Sequence, residues 1–246
     1  MNVVVVPCLK DNFAYLVIDG DRAAVVDPSE AAPIEAALKA HGVKPVALWL
    51  THHHLDHVGG VRDLVAAHPG IEVLSSSKDA QKIEGVTKKV DDGAEFSLGA
   101  HKGRVIHNPG HTLGAVTFLI EGNAFTGDTL FAAGCGRVFE GDAAMMHASL
   151  MKLAALPGDT KIWCGHEYTA SNLKFAAAVE PDNKAVAARV ESLPKPSVPA
   201  LMKDEHATNP FLRAAEPSVI AAAVARGAAK DPVSVFGAIR EWKNSF

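Results

Sequence analysis

The chain has 246 residues, 48% of them hydrophobic, enough for one large domain, or a domain with a smaller appendage, around a sizeable core. A net charge of −4 gives no electrostatic reason to expect a nucleic-acid partner, and no apolar run approaches the roughly 18 residues of a membrane span. Three cysteines, Cys8, Cys135 and Cys164, form no paired framework, so a reducing cytoplasm is expected.

Met1 to Val6 carries neither a basic leader segment nor a small-residue cleavage site and reads as a first strand. Further β-rich runs follow at Tyr15–Ile18, Ala23–Val26, Ala47–Leu50, Ile71–Leu74, Arg104–Ile106, Ala115–Ile120 and Lys161–Cys164. Helical patterns lie between them near Glu30–Lys39, Gly60–Ala67 and Met145–Ala155, and this mixture predicts a layered α+β body. After Tyr168 the character changes. Ser171–Val179, Lys184–Ser192, Pro217–Arg226 and Val233–Lys243 read as helices with no strand-like run among them. The expected organisation is a body over residues 1–168 and an all-helical domain over 169–246.

The densest chemistry follows the apolar run Val46–Leu50. Thr51-His52-His53-His54-Leu55-Asp56-His57 places four imidazoles and a carboxylate at a strand end. Neutral imidazole nitrogen and carboxylate oxygen suit zinc, iron or manganese. A solvated histidine tract fits poorly, because the run is internal and leads into Val58-Gly59-Gly60 and an apolar-periodic helix. Three more segments share the strand-into-loop form: Val105–Thr112 with His111, Ala124–Thr129 with Asp128, and Ile162–Glu167 with His166, each with glycine beside the candidate ligand. His52, His54, Asp56, His57, His111, Asp128 and His166 are too many donors for one tetrahedral ion. They suffice for two if a carboxylate, most naturally Asp128, bridges them. Cys135 and Cys164 read as small buried residues in this setting, with Cys135 in a loop. Asp27 reads as structural or orienting, His107 as either orienting or core, and His41, His68, His101, His147 and His206 as surface residues.

Thr51, His52, His54, Asp56 and His57 match the Thr-His-x-His-x-Asp-His signature, and the chain resembles the metallo-β-lactamase superfamily on these residues. The resemblance implies a four-layer αβ/βα sandwich with His52, His54 and His111 on one metal, Asp56, His57 and His166 on a second, and Asp128 between them. His53 and Leu55 fall at variable positions, so His53 is not expected to be a ligand. Gly127–Arg137, Cys164–Thr169 and Asn209-Pro210-Phe211-Leu212-Arg213 resemble the glyoxalase II family of hydroxyacylglutathione hydrolases, and the likeness runs from Asn12 to the C-terminus.

That resemblance implies hydrolysis of S-D-lactoylglutathione and other 2-hydroxyacylglutathione thioesters, the second step of methylglyoxal detoxification. The expected nucleophile is a metal-bridging hydroxide held by Asp56 and Asp128. It implies two divalent metals, zinc first and iron or manganese as alternatives. Arg137, Phe139, Tyr168, Arg240 and Lys243 become the substrate contacts, with Arg137 where many members have lysine and Phe139 where others place a tyrosine. Without the resemblance, Arg240 and Lys243 read first as a solvated helix end. A cytoplasmic monomer with no nucleic-acid or membrane partner is expected. The competing enzymatic reading is a mononuclear-iron persulfide dioxygenase acting on glutathione persulfide.

Overall fold

The computed structural model describes residues 1–246. Two six-stranded sheets face one another. The first runs in chain order through β1 (Asn2–Cys8), β2 (Asn12–Asp19), β3 (Arg22–Val26), β4 (Lys44–Trp49), β5 (Glu72–Ser76) and β6 (Lys88–Val90). Pairing is antiparallel for β1–β2–β3 and parallel from β3 to β6. Helices α1 (Ala31–His41), α2 (Leu55–Val58) and α3 (Val61–Ala67) make the crossovers.

The second sheet contains β7 (Glu95–Leu98), β8 (His101–His107), β9 (Val116–Ile120) and β10 (Asn123–Gly127). A two-stranded hairpin, β11 (Leu130–Phe131) and β12 (Gly134–Cys135), and α4 (Ala143–Ala154) come next, before β13 (Lys161–Cys164). The tail comprises α5 (Thr169–Val179), α6 (Lys184–Glu191), β14 (Ala200–Leu201), α7 (Met202–Thr208), α8 (Pro217–Val224) and α9 (Pro232–Ser245).

Period-two alternation sorts each central strand between two cores. On β2, Phe13, Tyr15 and Val17 enter the layer between the sheets, while Ala14 and Leu16 pack under α1 and α3. On β4, Ala47 and Trp49 take the first side and Leu48 the second. Strands buried on both faces read as the continuous apolar runs seen in the sequence. Aromatic rings dominate the inter-sheet layer: Trp49 stacks on Phe118 at 5.8 Å and meets Phe96 edge-on at 4.7 Å. A third core of 21 buried residues lies outside the second sheet, joining Ala124 and Ile162 to α4 and to Phe175, Phe211 and Phe236 of the tail. The layers are therefore helix, sheet, sheet, helix, as the superfamily resemblance implied.

Three expectations need correction. The tail does contain a strand: Ala200–Leu201 pairs with Lys161 and Ile162 at the edge of the second sheet. Two residues carry no period, and only the exposed edge of β13 makes them a strand. Cys135 lies on β12 rather than in a loop. The polar helix α7 and the short strands β6 and β7 went unpredicted, since their segments are too short to show an apolar period.

Candidate metal centre and substrate cavity

The strand ends and the loops that follow them meet at one edge of the paired sheets, and hydrogen bonds from outside the cluster fix how the side chains present themselves. His52 Nδ1 lies 3.1 Å from Thr51 Oγ1, which itself donates to Asp27 Oδ2 at 2.6 Å and so accepts the imidazole proton. His111 Nδ1 donates to the Arg137 carbonyl at 2.8 Å. His57 Nδ1 meets Asp27 Oδ2 at 2.9 Å, and His166 Nδ1 meets Asp11 Oδ1 at 3.0 Å. In each ring an acceptor holds the outer nitrogen, so the inner nitrogen is the one turned toward the cluster. Asn12 Nδ2 donates to the Asp56 carbonyl at 2.9 Å and to Asp56 Oδ2 at 3.2 Å. Gly165 is required by close approach, because a Cβ there would stand 2.3 Å from Asp128 Oδ1 and 2.5 Å from His57 Cε1.

The inner atoms form two groups. His54 Nδ1 is 3.1 Å from His52 Nε2 and 3.0 Å from His111 Nε2. A proton on His54 serves only one of those contacts, whereas a cation serves both. His57 Nε2 is 3.3 Å from His166 Nε2, and His166 Nε2 is 3.4 Å from Asp56 Oδ2. Asp128 faces both groups: Oδ1 lies 3.3 Å from His57 Nε2, while Oδ2 lies 3.3 Å from His166 Nε2 and 3.6 Å from His111 Nε2. Donors about 2.0–2.1 Å from a tetrahedral zinc stand roughly 3.3–3.4 Å apart, so these spacings fit a divalent ion in each group. Asp128 Oδ1 is also buried without a hydrogen-bond partner. His52, His57 and Asp27 lie close enough to form a further donor group. Asp27, however, has both oxygens engaged, Oδ1 by the Thr51 amide at 2.8 Å and Oδ2 by Thr51 and His57, so it orients those two side chains. It does so from a left-handed backbone, φ +47°, that a short polar side chain tolerates better than most.

Charge distribution separates the groups. Burial, reinforced by His57, holds His52 well below the ordinary histidine range, and burial also lowers His54 and His111. Burial disfavours the His57 cation too, but Asp128 and Asp27 outweigh it and raise that imidazole well above its usual value. His166 is pushed up to about 10, hydrogen bonds to Asp128 and Asp56 overcoming its burial. Asp56 is lowered, first by its hydrogen bond from His166. Asp128 is held well below the carboxylate range by His57 and His166 against the cost of burial. With no cation present, these carboxylates draw protons onto the second group, protons that a divalent ion bound there would displace.

A cavity of about 560 Å³ opens over the cluster, within the range for small-molecule sites. All five expected substrate contacts line it. Tyr168 stacks flat on His166, centroids 4.8 Å apart, and its phenol is pushed up to about 12 by burial and then by Asp11. Phe139, 61% exposed, lies 5.2 Å from the His111 ring and 5.8 Å from His54. Arg137 turns an exposed side chain to the rim. Arg240 is no solvated helix end: it is 8% exposed, donates from Nη1 to the Cys135 carbonyl at 2.8 Å, and leaves Nε unpartnered. Lys243 Nζ reaches the Ser171 carbonyl and hydroxyl at 3.2 Å, and burial lowers its pKa.

The two parts of the chain match different family models. Residues 10–166 match the metallo-beta-lactamase superfamily, and residues 167–246 match the hydroxyacylglutathione hydrolase C-terminus. The chain belongs to the hydroxyacylglutathione hydrolase family. A hydroxyacylglutathione hydrolase of Cupriavidus taiwanensis is 47% identical, with 100% of this chain and 99% of that one covered. Among solved structures, ETHE1 from Myxococcus xanthus shares the fold at TM-score 0.70 and 22% identity, over 98% of this chain and 90% of that one. TTHA1623 in a di-iron-bound form is 30% identical at TM-score 0.58, over 68% of this chain and 92% of that one. Family and donor set together make this a divalent-metal-binding enzyme fold. No helix is long and apolar enough to cross a membrane.

For a member of this family, several residues that shape the site carried no sequence signal. Asp11 ends the β1–β2 turn and Asn12 opens β2, and the two reach His166 and Asp56 where Phe13 N donates to Gly165 O at 2.8 Å and Glu167 N to Asp11 O at 2.8 Å. Ser171, Asn172, Asn244 and Phe246 complete the cavity wall. His53 turns away from the cluster to Asp79 Oδ1 at 3.0 Å. His107 neither orients a ligand nor fills the core: it is part-exposed and holds the Leu113 carbonyl at 2.9 Å. His147 is part-buried, 5.8 Å from Phe236, instead of standing in solvent.

Proposed function

We propose that the chain hydrolyses 2-hydroxyacylglutathione thioesters, S-D-lactoylglutathione foremost, to the hydroxy acid and glutathione. The supporting observation is that Asp128 faces two donor groups at the floor of a cavity whose wall is built by the helical tail. In this reading His52, His54 and His111 would hold one zinc and Asp56, His57 and His166 the other, with Asp128 shared between them. The di-iron form of a 30% identical protein accords with two ions. Residues 1–168 carry the metals, and 169–246 supply glutathione contacts alongside Arg137, Phe139 and Tyr168 of the body. The enzyme works as a monomer in the cytoplasm.

When bound, the two metals supply a hydroxide from water near neutral pH and polarise the thioester carbonyl. Asp56 and Asp128 hold the nucleophile's position. Asn12 keeps Asp56 Oδ2 turned inward, and Asp27 and Asp11 fix the rings of His57 and His166. Lys243 and Arg137 offer cations to the carboxylates of glutathione, and Arg240 adds positive charge at the cavity wall. Tyr168, flat on His166, and Phe139, over His111, border the reacting centre. The leaving thiol, with a pKa near 8.5 for free cysteine, departs as thiolate without a general acid. The test is an anaerobic thioester-cleavage assay on purified protein with metal content measured alongside. Glutathione release with about two metals per chain is the expected result. Metal-loaded protein that leaves the thioester intact, or that consumes oxygen with glutathione persulfide, would overturn it.

A further inference from the structure

The hairpin β11–β12 joins the bridging position to the first donor group: Asp128 precedes it, and the Arg137 carbonyl that holds His111 Nδ1 follows it. Its own backbone bonds are few, and its turn bends through Ala133 at φ +55°. The tail holds what remains. Asn209 Nδ2 donates to the Gly134 carbonyl at 2.9 Å and approaches the Phe131 carbonyl at 3.3 Å. Asn172 Nδ2 donates to the Ala132 carbonyl at 3.1 Å, and Arg240 to that of Cys135. Glu205 Oε2 accepts the Ala133 amide at 2.7 Å and the Asn209 amide at 2.9 Å. Five consecutive residues, Phe131 to Cys135, thus have a backbone group held by a tail side chain.

The arrangement is buried and closely fitted. Glu205 and Asn209 are fully buried, and Arg189 Nη2 compensates the Glu205 charge at 2.6 Å. A Cβ on Gly134 would stand 2.4 Å from Asn172 Nδ2, so only glycine lets the hairpin lie this close to the tail. A buried ion pair is weak evidence for stability alone, but here the carboxylate of the pair also holds the Ala133 and Asn209 amides and so ties hairpin to tail.

We propose that Asn209 and Glu205 are positioning residues for the metal centre, and that the helical tail templates the Asp128–Arg137 segment as well as walling the cavity. The kinetic part of this rests on the thioesterase reading; the metal part does not.

The experiment compares Asn209→Ala and Glu205→Gln with Val219→Ala, an apolar tail-core variant at a residue that makes none of the hairpin's polar contacts. Metal affinity is read by chelator competition, with kcat, KM and melting temperature measured in parallel. Asn209→Ala is expected to weaken retention of at least one metal about 10–100-fold, the range for residues that orient ligands, and to lower kcat at least as much as it raises KM. Glu205→Gln should move the same quantities in the same direction. Val219→Ala should lower the melting temperature and leave metal affinity unchanged. If Asn209→Ala fails to fold, Glu205→Gln and Asn172→Ala decide. Folded variants with wild-type metal affinity, a rise in KM alone, or an equal metal loss in Val219→Ala would overturn the proposal. If no protein in the series cleaves thioesters, the hydrolase reading fails while the metal competition still answers this one.

Discussion

His52 and His57 are both fully buried, and their ring centroids are 4.2 Å apart, yet they are driven in opposite directions. The first belongs to a cup of three imidazoles whose outer nitrogens meet neutral groups or solvent, and burial keeps it uncharged. The second has Asp27 on its outer nitrogen and Asp128 on its inner one, and these carboxylates win over burial. Adjacent sites of one residue type therefore differ in what a metal would have to displace. The three-histidine group offers lone pairs already free. The carboxylate-bearing group would first have to release protons.

The most severe way to break this comparison is to remove the carboxylate that both groups share. Asp128→Asn should cost more than about 100-fold in metal affinity, beyond the range for orienting residues, and most turnover. Full metal content in that variant would show that the groups do not depend on a common bridge. The two groups should also part company with pH. His166, pushed up to about 10, and His57, raised well above its ordinary value, are protonated below those values when no metal is bound. Apparent affinity at their group should therefore fall as pH falls, by up to about tenfold per unit for each proton displaced. His52, His54 and His111 are lowered, so affinity at their group should stay flat through neutrality. Metal analysis after equilibrium dialysis from pH 8 to 5 should find one ion lost before the other; simultaneous loss would erase the distinction.

Two substitutions sharpen the comparison further. Asp27→Asn keeps a carbonyl toward Thr51 but removes the charge beside His57. About 10–100-fold weaker binding of the second-group metal is expected in a chelator titration, with the three-histidine group much less affected. The smallest metal effect should come from His53→Ala, since His53 points to Asp79. Metal affinity should stay at the wild-type value, while loss of the partner of a buried carboxylate lowers stability by about 1–3 kcal/mol in denaturant unfolding. A metal loss there would place His53 in the donor set after all.

Much of the molecule was legible before folding. Val25, Val26, Leu48 and Trp49 fall on strands because residues packed on both faces leave a continuous apolar run in the sequence. The candidate ligands were legible because histidines and aspartates between a strand and glycines have few other uses. Arg240 was half legible. Its cationic character near the C-terminus showed, but its burial against Cys135 did not, since nothing in Ile239-Arg240-Glu241 records a carbonyl 105 positions away. Glu205 and Asn209 illustrate the same limit on a shorter helix. Their polar types predict solvent, and only the hairpin's unpaired backbone makes a buried amide and carboxylate favourable there.

The sequence by itself determined the layered architecture and the kind of donor atom at each strand end, because side-chain period and ligand chemistry are local properties. Tertiary structure decided which nitrogen of each imidazole faces inward and which group carries the excess negative charge. It also decided that tail side chains hold the β11–β12 hairpin as well as walling the cavity. Those outcomes depend on hydrogen bonds such as Asp11 to His166, Asp27 to His57 and Asn209 to Gly134. Each joins residues far apart in the chain, and their distances and desolvation exist only once the layers have packed.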